Sequence, residues 1–205
     1  KIQKQGLTLE KMWDKTEENI SIPATDMEHY AEHPDVIFVC VKGYSLQETI
    51  PFIKRIARKN TIVIPVLNIY GTGGKMQKEL PDLLVTDGCI YVSANIKEPG
   101  KLLQHGQILH IVFGVRDKAE FRPELKEIQK DLCDSHIDGT LSENIRREAL
   151  EKFSYVSPIG AAGLYYHATA ADFQKEGEAR ELFKTMIKEI AALAEAMGVP
   201  FQKDM

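Results

Sequence analysis

A lysine on the apolar face of a helix is the residue of this sequence most in need of a reason. At roughly 100° per residue, Ile145, Ala149, Val156, Ile159 and Gly163 share one face of a helix predicted over residues 142–166, and Lys152 falls in the middle of that face. The neighbouring charges Arg146, Arg147, Glu148 and Glu151 lie off its centre. An ammonium on a core-facing stripe is costly unless it is paired or lines a cleft. In a cleft it can donate a proton and stabilise a developing oxyanion. The bland alternatives are a side chain that snorkels at the helix edge, or a helix broken at Pro158. Glu189 is a weaker case of the same kind. It borders the apolar stripe Leu182, Phe183, Met186, Ile187, Ile190, Leu193, Ala194 and Met197 of a second predicted helix, residues 178–197, and glutamates at such edges commonly do nothing but face water.

Three strand ends add polar or small residues: Lys42-Gly43, Asn68, and Ser93-Ala94-Asn95. Open parallel sheets bind ligands at the carboxyl ends of their strands. There Lys42 can meet a phosphate or carboxylate, and Asn68 offers both a donor and an acceptor. Gly43 and Ala94 let a ligand approach the backbone closely. Against this stands the plain fact that every strand must end in something polar. Other motifs fail on spacing. The segment from Asn68 to Met76 lacks the GxxxxGK[ST] pattern of a phosphate loop, so Gly73 and Gly74 read as the opening of a short helix. Gly43-Tyr-Ser45-Leu-Gln47 is not the GxSxG of a serine hydrolase. His105 and His110 have no ligand spacing. The small run Gly160-Ala-Ala-Gly163 allows close packing against the helix, by another helix or by a cofactor.

The elements that must position these residues alternate. Residues 36–41 are a continuous apolar run, as in a strand buried on both faces, and residues 61–67 are a second buried strand. Between them residues 45–59 carry apolar positions at helical spacing, with Ser45 and Glu48 placed for a capping box. Residues 73–80 form a short helix stopped by Pro81; 89–94 and 108–113 are further strands; 119–133 is helical, and Asp138-Gly139 breaks the chain. Residues 6–9 and 20–22 are short strand candidates. This order predicts an α/β fold with a mostly parallel sheet over residues 1–139, followed by an all-helical part over 140–205.

Composition excludes several functions for the 205-residue chain. A net charge of −4 and a pI near 5.9 argue against a nucleic-acid partner held by a basic surface. The longest apolar runs are far too short to span a bilayer, and no signal-peptide pattern is present, so a cytoplasmic protein with no membrane partner is expected. Cys40, Cys89 and Cys133 lie far apart, with no CxxC pair and no Cys/His cluster at zinc spacing. They read as reduced, buried thiols, and no metal is expected.

In order and spacing, several segments resemble the ketopantoate reductase (2-dehydropantoate 2-reductase) family. The run Asp35 to Tyr44 looks like that family's strand ending in Val-Lys-Ala/Gly-Tyr, and Leu67-Asn68 with Gly71 looks like its Gln-Asn-Gly segment. Tyr91-Val-Ser-Ala94 and Pro99-Gly100 resemble its Tyr-Val-Gly-Ala and Pro-Gly turns. Glu143-Asn-Ile-Arg146 with Glu151-Lys152-Phe153 resembles the helix of its catalytic lysine, and Glu189-Ile-Ala with Ala196-Met-Gly198 its following helix. The resemblance implies a partial Rossmann-type NADP-binding domain, then the start of a helical substrate and dimerisation domain. It implies hydride transfer from NADPH to a 2-keto acid, as from 2-dehydropantoate to pantoate in pantothenate and CoA biosynthesis. By match, Lys152 would be the general acid and Glu189 a supporting catalytic carboxylate. Asn68 would touch cofactor and substrate, and Lys42 and Ala94 the cofactor. The assembly leaves room for a homodimer.

Two departures qualify the resemblance. The family commonly has asparagines four and eight residues after the lysine, where Val156 and Gly160 stand here. The substrate expected is therefore a 2-keto acid not fixed as ketopantoate, unless Ser154 and Ser157 compensate. The family's Gly-x-Gly-x-x-Gly turn and its final helices have no counterpart in these residues, so the chain is expected to be a partial, inactive form that binds cofactor poorly. Another hydroxy-acid dehydrogenase of similar architecture, or a non-catalytic NADP-binding sensor or scaffold, remains an alternative.

Overall fold

Strand β4 (Ile62–Pro65) organises the first half of the molecule. The computed structural model describes residues 1–202, and in it all four β4 residues are buried. Alternation along the strand sends side chains to opposite faces. Ile62, Ile64 and Val66 join Leu84, Ile111, Phe113, Leu125, Ile128 and Leu132 in one core. Val63 and Leu67 join Val39, Ile50, Ile53, Met76, Leu80 and Val85 in another. Burial of each such Ile, Val or Leu side chain contributes roughly 1.5–3 kcal/mol. Two cores on two faces explain why the run carries no polar residue. Strand β4 pairs in parallel with β3 (Val36–Val39) and β5 (Leu84–Val85). Helices α2 (Leu46–Ile56) and α3 (Thr72–Glu79) are the crossovers.

The second sheet departs from the expected parallel pattern. Strands β6 (Asp87–Glu98) and β7 (Lys101–Gly114) form a long antiparallel ribbon. On the other edge of β7 its first half pairs in parallel with β1 (Leu7–Lys11), which follows the four-residue helix α1 (Ile2–Gln5), and β2 (Thr16–Ile20) pairs antiparallel to β1. The second half of β7 pairs in parallel with β8 (Asp138–Leu141). Helix α4 (Glu124–Asp134) covers the sheet before β8. The helical part is α5 (Ile145–Tyr166) and α6 (Glu178–Ala196), which meet at Leu150, Ala194 and Val199, with Tyr70 and Phe153 packed alongside.

Several expectations are corrected. Residues 36–41 are not buried on both faces: β3 is a sheet edge, and Phe38 is 37% exposed. The capping box at Ser45 does not form; a 3₁₀ turn over Gly43–Ser45 leads into α2, and Ser45 makes no side-chain cap bond. The 119–133 segment is split by Pro123 into a 3₁₀ turn and α4. Asp138-Gly139 is not a break but the start of β8, and the expected boundary at 139 falls inside that strand. Gly139 fits there because a side chain would collide with Leu132 of α4, its Cβ 2.8 Å away. Pro158 is buried within an unbroken α5. Cys89 is buried, whereas Cys40 and Cys133 are exposed. In the small run, Gly160 meets no neighbour within 4 Å, whereas Ala162 is fully buried.

Candidate functional site

The carboxyl ends of β3 and β4 open onto a cleft of about 560 Å³. Its walls include Val41, Val66, Leu67, Ile69, Ile90 and Val92, and its polar rim carries Lys42, Asn68 and Lys152. Four of the five residues singled out from sequence therefore converge on one cleft: Lys42, Asn68, Ala94 and Lys152. Lys42 and Asn68 are exposed beyond the strand ends, as expected. Ala94 arrives by another route. Residues 93–95 are not a strand end but the middle of β6, where the ladder shifts register between Val92 and Ala94. Such a bulge bends a strand and re-aims its side chains.

Glu189 is not brought to this place. It is exposed on α6 and lines neither of the two cavities that Lys152 lines.

Of the stripe expected from the sequence only Ile145 is buried: α5 buries Ile145, Leu150, Ser154, Pro158 and Ala162, and Lys152 lies half-buried beside them. Ile145 at the start of α5 is fully buried against Cys89 and Val112, seating the helix on β6 and β7. Asn144 caps the helix, its side chain accepting from the Arg147 amide at 3.2 Å. Two turns on, the Lys152 side chain passes over β6. Its Nζ donates to the Ile90 carbonyl at 2.8 Å and lies 3.8 Å from the centre of the Tyr91 ring. Burial pushes its ammonium below the usual lysine range, opposed by the nearby Cys89 sulfur. The Cys89 thiol is itself pushed up to about 11 by burial, so it is neutral at pH 7 and supplies no counter-charge there. A half-buried lysine made more acidic than usual gives up its proton more readily than a free one.

Beside it a small enclosed space is lined by Ala149, Lys152, Phe153 and Val156 of α5, by Leu67 to Thr72, and by Asp87, Gly88 and Cys89. Val156, one turn beyond Lys152, offers no hydrogen-bond donor to this space. Ser154 does not substitute for one: it is buried, and its hydroxyl donates to the Glu151 carbonyl at 2.7 Å. Ser157 lines neither cavity.

Sequence reasoning missed Asp87 and Tyr91. Asp87 is buried at the head of β6 and accepts the Gly73 amide of α3 at 2.8 Å, with Arg116 3.6 Å away. It thereby fixes the turn between β4 and α3 that presents Asn68. Gly71, at φ +76°, makes that turn in the left-handed region. For Tyr91 the available signal was period two, which places Cys89 and Tyr91 on one face of a strand.

The cleft has apolar walls, with an amide at Asn68, a cation at Lys42 and the small residue Ala94, a lining able to take an apolar ring that carries polar or anionic groups.

A parallel Rossmann-type sheet, a helical pair and a lysine between them define an α/β protein of the kind that holds nucleotides at strand ends. The model of the family "Ketopantoate reductase PanE/ApbA" matches residues 1–118, and that of its C-terminal domain matches residues 144–205. The chain belongs to the ketopantoate reductase family. It is 20% identical over 176 residues to the 2-dehydropantoate 2-reductase of Aquifex aeolicus, covering 86% of this chain and 57% of that protein. The chain thus spans little more than half the length of that relative. Among solved structures, a D-mandelate dehydrogenase with NADH and anilino(oxo)acetate superposes with a TM-score of 0.84 at 17% identity, covering 98% of this chain and 64% of that one. A dimeric ketopantoate reductase from Staphylococcus aureus superposes with a TM-score of 0.79 at 20% identity, covering 97% and 64%. Among the described residues no helix is long and apolar enough to cross a membrane.

Proposed function

We propose that the full-length protein reduces a 2-keto acid with NADPH, Lys152 acting as the general acid. The observation that carries this reading is the placement of Lys152 on the rim of the cleft that also gathers Lys42, Asn68 and Ala94. NADPH, when bound, supplies the hydride that attacks the carbonyl carbon. The Lys152 ammonium gives one proton to the carbonyl oxygen as negative charge develops there, leaving a neutral amine to be recharged from solvent. Asn68 orients the reacting groups through its amide, and Lys42 neutralises part of the cofactor's negative charge. A homodimer fits the same reading.

The donor-free wall at Val156 favours a keto acid with an apolar substituent over hydroxylated ketopantoate. Assay of the full-length enzyme with ketopantoate and with aryl and branched 2-keto acids decides between them by kcat/KM. Lys152→Ala in that enzyme is expected to lower kcat by about 10²–10⁴-fold; an unchanged rate overturns the catalytic reading and leaves a binding or scaffold role. The 205 residues contain no Gly-x-Gly-x-x-Gly turn to hold a pyrophosphate. We therefore expect calorimetry on this chain alone to show weak NADPH binding, and a low-micromolar Kd would contradict that.

A further inference from the structure

The Lys152 ammonium is half-buried, yet no carboxylate pairs with it among the described residues. What meets it is supplied by two consecutive residues of β6: the Ile90 carbonyl at 2.8 Å and the face of the Tyr91 ring at 3.8 Å. A cation within about 6 Å of a ring centre is attracted by the negative face of the π system, more strongly where water is partly excluded.

The ring is held in turn by two further strands. Its cross-strand partner on β7 is His110, stacked at 5.4 Å and 25°. The His110 Nε2 lies 3.1 Å from the Thr140 hydroxyl, and its Nδ1 lies 3.7 Å from the Asp138 carboxylate, both on β8. The plane on which the ammonium rests is therefore fixed by three strands.

Lys42, on the rim of the same cleft, is an exposed cation and brings no counter-charge, and the acidic groups nearby are engaged elsewhere. Glu148 of α5 accepts from Ser142 at 2.6 Å, and Glu151 lies 3.9 Å from Arg147 and accepts the Gln202 amide at 3.2 Å. Asp87, across the small cavity, holds the Gly73 amide. Cys89 is neutral at pH 7, and Tyr70 packs with Phe153 on the helical side.

We propose that Tyr91 is a positioning residue for the general acid: its ring face, with the Ile90 carbonyl, holds the Lys152 ammonium on the rim of the cleft, aimed at the substrate oxygen. The proposal rests on the reading of Lys152 as that acid. Because the ring face favours the charged amine, weakening it lowers the pH at which the acid loses its proton. The rate depends on the charged form, so it falls as pH rises through that value.

The test uses the full-length enzyme with phenylalanine, then mono-, di- and trifluorophenylalanine at position 91. These share one shape, so the fold is preserved while the ring face becomes steadily less negative. Tyr91→Phe is expected to keep kcat within about threefold of the parent, since the ring face remains. Successive fluorination is expected to lower kcat and to move the basic limb of the kcat/KM profile stepwise to lower pH, with the cofactor KM constant. If kcat and the limb stay fixed across the series while Lys152→Ala abolishes turnover, the role of Tyr91 is wrong and that of Lys152 stands. If Lys152→Ala leaves turnover intact, the reading of the acid fails, and the role of Tyr91 with it.

Discussion

Two adjacent glycines at the start of α3 should respond to alanine with opposite sign. A Cβ on Gly73 would stand 1.9 Å from the Thr86 carbonyl oxygen, a backbone atom that cannot step aside, and 2.4 Å from the Asp87 carboxylate. On Gly74 it would meet nothing nearer than the Arg116 side chain at 3.9 Å. Alanine in a helix is favoured over glycine by about 0.5–1 kcal/mol, and forced overpacking costs about 1–3 kcal/mol. Gly74→Ala should therefore gain about 0.5–1 kcal/mol in urea unfolding, the helix preference acting alone. Gly73→Ala should lose about 1–2 kcal/mol, the clash outweighing the preference. A stabilising Gly73→Ala would show that α3 is free to move off β6. Sequence alone placed both glycines at the opening of a helix but could not tell them apart. The difference lies in Thr86 and Asp87, more than ten residues along the chain. Lys152 was legible for the converse reason: it breaks the pattern of its own helix, and no distant residue is needed to notice it. Tyr91 breaks no pattern, and only the fold brings it under the ammonium.

Among the elements, those whose own side chains settle their state were readable. Strand β4 is apolar on both faces because it feeds two cores, and α2 and α6 carry stripes at helical spacing, whereas α5 buries Leu150, Ser154, Pro158 and Ala162 rather than the stripe expected of it. The elements that were missed owe their state to a neighbour. The outer half of β6 is exposed and that of β7 mostly half-buried, and both are held by ladder bonds, to each other and to β1. Strand β8 contributes four residues, two of them Asp138 and Gly139, to a ladder that β7 already offers. Within α5 the cap is local and testable. Asn144→Ala removes the acceptor of the Arg147 amide and should cost about 1 kcal/mol of stability, read as a lower denaturation midpoint. Asn144→Asp restores an acceptor beside the positive end of the helix and should recover most of that loss. Equal loss in both variants would mean that the amide finds water as readily as the side chain.

For the molecule as a whole, charge and site disagree in sign, and the disagreement has a kinetic consequence. The chain carries a net charge of −4. The charged residues lining the cleft, however, are Lys42 and Lys152, with no carboxylate among its lining residues. A cleft with low-dielectric walls and one sign of charge focuses field and draws in the opposite sign. The proposed ligands, a 2-keto acid and a dinucleotide, are anions. Attraction of this kind is screened over about 8–10 Å at physiological salt. In the full-length enzyme, kcat/KM for the keto acid should therefore fall as salt rises from about 20 mM to about 500 mM, with kcat changing much less. Lys42→Gln should flatten that dependence and raise the KM for the cofactor. Its Lys152 remains in place, so kcat at saturation should stay near the parent value. A salt slope unchanged by Lys42→Gln would place the steering charge elsewhere and remove Lys42 from the path by which the anions enter.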